Sequence, residues 1–264
     1  MGGVVDNYIE IMEYPDRDRY DLKSLKAAGC SSFVKKLTSE YRQQWKDLTG
    51  TILKESSYGM TETHTVDTFT NGMQTDDMDL KSKPIFCGLP MPGTYFKIVD
   101  FETGELVPLG QEGEIVIKTP SLMKAYWNRP EETAKSIKDN WLYTGDIGML
   151  DEGGYLHFLG RRKEMLKMRG MSVFPSEIET LLGRHPAIAV SGVIGKSDPE
   201  KGQVPVAFIT LKPEYEGQVT AEEMTAWCRE NMATYKVPLI MILKELPLTA
   251  TGKVKKEELK KELD

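Results

Sequence analysis

The chain has 264 residues, 40% hydrophobic and 28% charged, with a formal net charge of −6. That length holds one large domain or two of ordinary size around a real core, in an ordinary globular mix. The acidic balance argues against a broad nucleic-acid surface, whose affinity rests on excess lysine and arginine, and no run of about 18 apolar residues offers a transmembrane segment. Met1 to Asp6 lacks the basic start and apolar stretch of a signal peptide. Cys30, Cys87 and Cys228 are too scattered for a disulfide framework or a metal knuckle. A cytoplasmic, reducing setting is expected, with a peripheral place at a membrane surface left open.

Ser32 to Leu48 predicts an amphipathic helix, because Val34, Leu37, Tyr41, Trp45 and Leu48 recur at spacings of three and four. Thr49-Gly50 stops it, and Thr51-Ile52-Leu53 reads as a short strand leading into the turn Ser56-Ser57-Tyr58-Gly59. Helix followed by buried strand suggests an α/β layer. From about Ile85 the pattern changes. Tyr95 to Val99, Glu112 to Lys118 and Tyr155 to Leu159 read as short strands separated by glycine-bearing turns, the signature of a small barrel or sandwich. Pro130 to Asp139 reads as a helix opened by proline. Beyond Arg161, Pro175 to Leu182 and Thr220 to Met232 read as helices. Thr220 and Glu223 form a capping box, and Met224, Trp227, Cys228 and Asn231 mark the inner face of the second helix. Ala187 to Val193 and Val204 to Leu211 read as strands, and Lys255 to Leu263 as a terminal helix. Arg161-Arg162-Lys163 is the expected domain junction.

Taken singly, the chemical motifs carry little. Tyr58-Gly59-Met60-Thr61-Glu62 is a glycine turn whose backbone N–H groups suit phosphate oxygens, with a hydroxyl at Thr61 and a hard-cation ligand at Glu62. A solvated Thr-Glu pair is the plainer account. Thr144-Gly145-Asp146 reads as a turn with an exposed aspartate, able either to accept from both hydroxyls of a ribose or to cap its own turn. Arg161 could add a sugar or phosphate contact. Lys253, in Leu248-Thr249-Ala250-Thr251-Gly252-Lys253, sits on a small-residue loop that could carry it into a cleft to neutralise phosphate charge. His64, His157 and His185 lack ligand spacing. Lys255-Lys256 reads as a solvated helix face.

The ordered set is far more specific. Tyr58–Glu62 resembles the Y-G-x-T-E motif of the AMP-forming adenylate enzymes, which include acyl- and aryl-CoA ligases, luciferases and peptide-synthetase adenylation domains. Trp141-Leu142-Tyr143-Thr144-Gly145-Asp146 resembles the family's W-x-x-T-G-D. Gly160 to Lys167, then Gly170 and Pro175 to Glu179, resemble its hinge segment, and Pro247 to Lys253 its last motif, P-x-T-x-[ST]-G-K. Order and spacing agree from about residue 20 to 263.

This resemblance implies a fold: the end of a large α/β domain (1–80) plus a small β-barrel-like subdomain (81–161), then a mobile C-terminal α+β lid domain (162–264). It also implies roles. Tyr58, Gly59 and Met60 would border adenine, Thr61 would meet phosphate, and Glu62 would help hold Mg²⁺. Asp146 would bind the ribose with help from Arg161. Lys253 would serve adenylation and Lys167 thioester formation. Lys163 would be the hinge, and Arg169 and Gly170 would lie near CoA. The implied substrates are a carboxylic acid, with a fatty acid as first choice, together with ATP and CoA. The products are acyl-CoA, AMP and pyrophosphate. An aryl-CoA ligase, an adenylation domain loading a carrier protein, and a non-catalytic fragment are the alternatives. The family's phosphate loop has no counterpart in the chain, and Gly29-Cys30-Ser31-Ser32 stands where the family has Gly-Gly-Ala-Pro. The expectation is therefore a C-terminal half that is inactive without the N-terminal half of the enzyme.

Overall fold

The computed structural model describes residues 1–264 apart from 33–34, 56–57, 83–84, 251 and 264. The chain divides into two compact units. One comprises Met1–Gly2, Tyr20–Cys30 and Ser39–Lys163, and the other Gly3–Arg19, Ser31–Thr38 and Glu164–Asp264.

In the first unit, residues 28–30 pair in parallel with the strand Leu53–Glu55, and the helix Ser39–Thr49 connects the two. The helix starts seven residues later than its periodicity suggests. Ser32 Oγ accepts the Leu37 N–H at 3.0 Å, a local side-chain bond that competes with helix; Val34 lies outside the described residues. Trp45 is fully buried, its indole N–H donating to Thr51 Oγ1 at 3.2 Å. The Thr49 hydroxyl closes the last turn on the Trp45 carbonyl at 2.9 Å. Thr51 is thus used to finish the helix, which moves the following strand from Thr51–Leu53 to Leu53–Glu55. Arg42, also buried, is satisfied at every end. It donates to the Leu53 carbonyl at 2.9 Å and pairs with Asp77 and Asp79, both at 2.6 Å. Such full pairing is what a buried guanidinium needs.

Seven strands then form one sheet in the order Thr68–Phe69, Ile85–Pro90, Leu156–Arg161, Trp141–Leu150, Gly113–Lys118 and Tyr95–Val99, with Ile137–Lys138 beside Trp141–Leu150. Period-two alternation puts Ile98, Ile115, Ile117 and Leu156 into one core around Tyr58. The proline-opened helix runs Pro130–Ser136, shorter than expected. The chain then enters a hairpin whose turn residues, Asp139 and Asn140, both have positive φ (51° and 61°). That conformation matches the right-handed twist of the flanking strands. Trp141–Leu150 is the main correction: the motif taken for a turn lies inside a ten-residue strand.

The second unit carries a five-stranded sheet. Met171–Val173, Leu166–Met168, Gly202–Leu211 and Ile188–Asp198 follow in order, and Leu239–Ile242 runs parallel to Gly202–Leu211. The helices Pro175–Leu182 and Ala221–Asn231 pack Ile178, Leu182, Met224 and Cys228 into a core with Val193, Ala207 and Ile209. The capping box forms as read: Thr220 Oγ1 accepts the Glu223 N–H at 3.2 Å, and Glu223 accepts the Thr220 N–H at 2.9 Å. Asn231 is a correction. It is exposed, and its amide returns to the Trp227 carbonyl at 2.8 Å. The terminal helix is Lys256–Leu259, continued as a tighter turn over Lys260–Leu263.

Candidate functional site

The segment Tyr58–Glu62 is the start of a small hairpin. Gly59–Met60 pairs antiparallel with Thr65–Val66, and a tight helical turn, Thr61–Thr63, joins them. The His64 N–H closes that turn on the Thr61 carbonyl at 3.1 Å, with His64 in the left-handed region (φ 58°). Thr61 and Gly59 are exposed. Ser56 and Ser57, read as the start of this turn, lie outside the described residues. The Met123 N–H fixes the Glu62 carbonyl at 2.7 Å, and the Tyr126 hydroxyl donates to Glu62 Oε1 at 2.9 Å. Burial and the Glu62 carboxylate both push the Tyr126 phenol up, so it stays a donor. Among the described residues no three acidic, histidine or cysteine side chains converge on an ion position. Magnesium carried by a nucleotide, however, takes most of its ligands from phosphate and water, and needs only one or two carboxylates. Glu62, an oriented hard-oxygen donor beside backbone N–H groups, fits that need.

Asp146 is buried, at 3% relative exposure, not exposed as its motif suggests. It faces Arg161 across two antiparallel strands as a direct register partner, with Arg161 Nε 3.2 Å from Oδ1. The Tyr58 hydroxyl donates to Oδ2 at 2.6 Å. Tyr58 is wedged against Phe96 and Phe158, with ring centroids 6.3 and 6.1 Å away. Burial, then the Asp146 charge, holds its phenol well above the usual tyrosine range. Gly145 has φ 70°, and the strand bulges there. The bulge lets the Gly145 N–H reach Glu114 Oε1 at 2.9 Å and the Asp146 N–H reach Thr144 Oγ1 at 3.0 Å. Bulges of this kind re-aim a side chain. Tyr58, Asp146 and Arg161 are thereby brought together.

Four expected residues lie in the second unit. Lys167 is exposed on the strand Leu166–Met168, its ammonium donating to Ser172 Oγ at 3.0 Å. Arg169 and Gly170 form the two-residue turn of that hairpin, both with positive φ (50° and 82°). Lys253 is exposed on a loop pinched by the Leu248–Val254 bridge and by the Thr249 N–H donating to the Lys253 carbonyl at 2.8 Å. Its neighbour Thr251 lies outside the described residues. Lys163 is exposed in the turn Arg162–Glu164, where the division between units falls.

Several residues escaped the sequence reading. Tyr126 carried no motif signal. Lys256, read as part of a solvated face, lies between Glu164 at 2.6 Å and Glu179 at 2.9 Å. Desolvation acts against its charge, yet the two carboxylates prevail and hold its pKa above the usual lysine value. Its i+3 spacing from Leu259, the buried residue of the short helix, was the available signal. Trp141 lies beneath the Lys97 ammonium, 3.8 Å from its ring centroid. The histidines are structural in their contacts: His157 is buried against Asp151 at 2.8 Å, and His185 stacks edge-on with Trp227. His64 is exposed, with Nδ1 3.1 Å from the Ser121 carbonyl. All three cysteines are free and buried, and burial raises the thiols of Cys87 and Cys228 to about 12 and about 11, so neither is a ready nucleophile.

Residues 1–127 match the family described as AMP-binding enzyme, and residues 177–253 match the AMP-binding enzyme C-terminal domain. The chain belongs to this adenylate-forming family of enzymes. It is 38% identical over 256 residues to a long-chain-fatty-acid–CoA ligase of Bacillus subtilis, covering 97% of this chain and 44% of that protein. It is likewise 38% identical over 211 residues to a 2-succinylbenzoate–CoA ligase of Bacillus cytotoxicus, covering 79% of this chain and 41% of the relative. The chain thus spans less than half the length of either. Among solved structures, an anthranilate CoA ligase in complex with anthranoyl-AMP superposes with a TM-score of 0.79 at 32% identity, over 99% of this chain and 49% of that one. Its likeness bears out the mixed α/β fold with a curled, half-barrel sheet.

Proposed function

We propose that this chain supplies part of an acid–thiol ligase that activates a carboxylic acid with ATP and passes the acyl group to CoA, with a fatty acid as the first-choice substrate. The observation that carries the reading is the Tyr58–Asp146–Arg161 set: a buried carboxylate held from both sides at a strand bulge. A carboxylate so fixed suits the paired hydroxyls of a ribose, which are neutral donors and leave its charge in place. Arg161, half exposed beside it, suits a sugar or phosphate oxygen.

In the first step a substrate carboxylate oxygen attacks the α-phosphorus of ATP, and pyrophosphate leaves. Tyr58, Gly59 and Met60 border the adenine, Thr61 offers a donor to phosphate, and Lys253 neutralises charge developing on it. Glu62 would hold magnesium, whose contribution when bound is to offset phosphate charge. In the second step the CoA sulfur attacks the acyl carbon, and AMP leaves. Lys167, beside Arg169 and Gly170 on one hairpin, serves this step. Lys163 is the hinge about which residues 162–264 turn as a lid between steps.

An aryl acid is a second reading, favoured by the 2-succinylbenzoate and anthranilate ligases among the relatives. The test is pyrophosphate release and acyl-CoA formation by a protein containing all 264 residues, with fatty and aryl acids compared. Acyl-CoA from fatty acids supports the first reading and from aryl acids the second. Transfer to a carrier protein but not to CoA overturns both, as does absence of pyrophosphate release with every acid.

A further inference from the structure

Beneath the Tyr58–Glu62 turn lies a buried acid that the proposed chemistry does not use. Asp67 has no exposed surface. Its backbone is committed: its N–H donates to the Tyr58 carbonyl at 2.8 Å, and its carbonyl accepts from Met91 N–H at 2.9 Å. Its carboxyl meets the Thr63 hydroxyl, with Oγ1 2.6 Å from Oδ2, while Oδ1 has no hydrogen-bond partner among the described residues. The same Thr63 Oγ1 lies 3.1 Å from the Met60 carbonyl oxygen.

Counting protons decides between two states. The Met60 carbonyl can only accept, and the threonine hydroxyl has a single proton. If Asp67 is ionised, Thr63 must give that proton to the carboxylate, because a 2.6 Å contact between oxygens requires one. Met60 is then left facing a lone pair. If Asp67 keeps its own proton, it donates to Thr63, Thr63 donates to Met60, and both contacts are hydrogen bonds. Burial also disfavours the ion, and only the Thr63 hydroxyl acts in the opposite direction; no charged side chain of the described residues offsets it.

We infer that Asp67 is an uncharged positioning residue, donating its proton to Thr63 so that Thr63 locks the Met60 carbonyl and fixes the turn that carries Thr61 and Glu62. Its place in catalysis rests on the ligase reading above, but its protonation state does not. Carbon-13 NMR of the whole chain, with the Asp67 carboxyl assigned by its loss in Asp67→Asn, tests it. The expected midpoint lies well above the ordinary aspartate value of about 3.9. A midpoint at or below that value overturns the inference, whether or not the protein turns over any acid. In the ligase assay, Asp67→Asn retains a donor to Thr63 and should keep the KM for ATP within about twofold, whereas Asp67→Ala should raise it about tenfold, the scale of one lost hydrogen bond. Equal loss in both variants overturns the positioning role. If Asp67→Ala does not fold, the wild-type titration and Asp67→Asn still decide.

Discussion

The Tyr58 hydroxyl donates to Asp146 Oδ2 at 2.6 Å across 88 residues of sequence. Two motifs that look like separate nucleotide contacts are thus one unit, with the phenol bracing the carboxylate from below and Arg161 meeting it from the neighbouring strand.

Tyr58→Phe keeps the ring between Phe96 and Phe158 and removes only this donor. It should weaken ATP binding by about tenfold or more, the scale of one lost hydrogen bond to a buried charge of about 1.5–3 kcal/mol. Calorimetric titration with ATP and magnesium checks this. Unchanged affinity would show that Asp146 does not depend on the phenol.

Lys253, on a loop, and Lys167, on the strand Leu166–Met168, belong to one unit, and separate half-reactions are proposed for them. Lys253→Ala should slow adenylate formation about 10²–10³-fold, as loss of a preorganised charge does. It should spare thioester formation from supplied acyl-AMP. Lys167→Ala should do the reverse. Single-turnover measurement of each half-reaction separates them, and equal loss of both steps in either variant contradicts the assignment.

Lys256 ties Glu164, at the start of the second unit, to Glu179 on the helix Pro175–Leu182. Lys256→Met leaves two carboxylates sharing one partly buried site and should cost about 1–3 kcal/mol, below the figure for a fully buried pair because the lysine is partly exposed. The sign with pH is specific. In the wild type the raised lysine pKa contributes stability that is present below the unfolded lysine value of about 10.4 and lost as pH rises through the folded value. In the variant the two carboxylates face each other without a cation, and taking up a proton on either relieves their repulsion. Part of the loss is therefore recovered as pH falls into the acidic range. Thermal unfolding between neutral and mildly acidic pH reads this. A loss that does not change with pH would argue against carboxylate repulsion.

Gly145 has φ 70°, with open space where a Cβ would sit. Gly145→Ala therefore strains the backbone without a clash and should cost about 1–2 kcal/mol. It should also misplace Asp146, lowering ATP affinity beyond what the stability loss explains. Denaturant unfolding and nucleotide titration on the same variant separate the two effects.

Much of the architecture was legible before any fold was seen. The helix Pro175–Leu182 carries its own start and stop signals, the helix Ala221–Asn231 its capping box, and the strands Tyr95–Val99 and Gly113–Lys118 are short runs rich in apolar residues between glycine-bearing turns. Such elements are set by contacts within a few residues. Trp141–Leu150 was not legible as a strand, because its glycine serves a bulge that exists only once Gly113–Lys118 and Leu156–Arg161 lie on either side. The helix Ser39–Thr49 was drawn too long, because Ser32 satisfies backbone locally in a way periodicity does not report.

The motifs and their order, read from sequence alone, determined the family and named Asp146, Arg161, Lys167 and Lys253, because short spacings of chemically distinctive residues survive without knowledge of the fold. What the tertiary structure decided is the electrostatic state of those and neighbouring groups. Asp146 is buried against Tyr58, Lys256 lies between two glutamates, and Asp67 is sealed beneath the Tyr58–Glu62 turn. Burial and partnership across long stretches of chain set charge and orientation, and neither is written in local sequence.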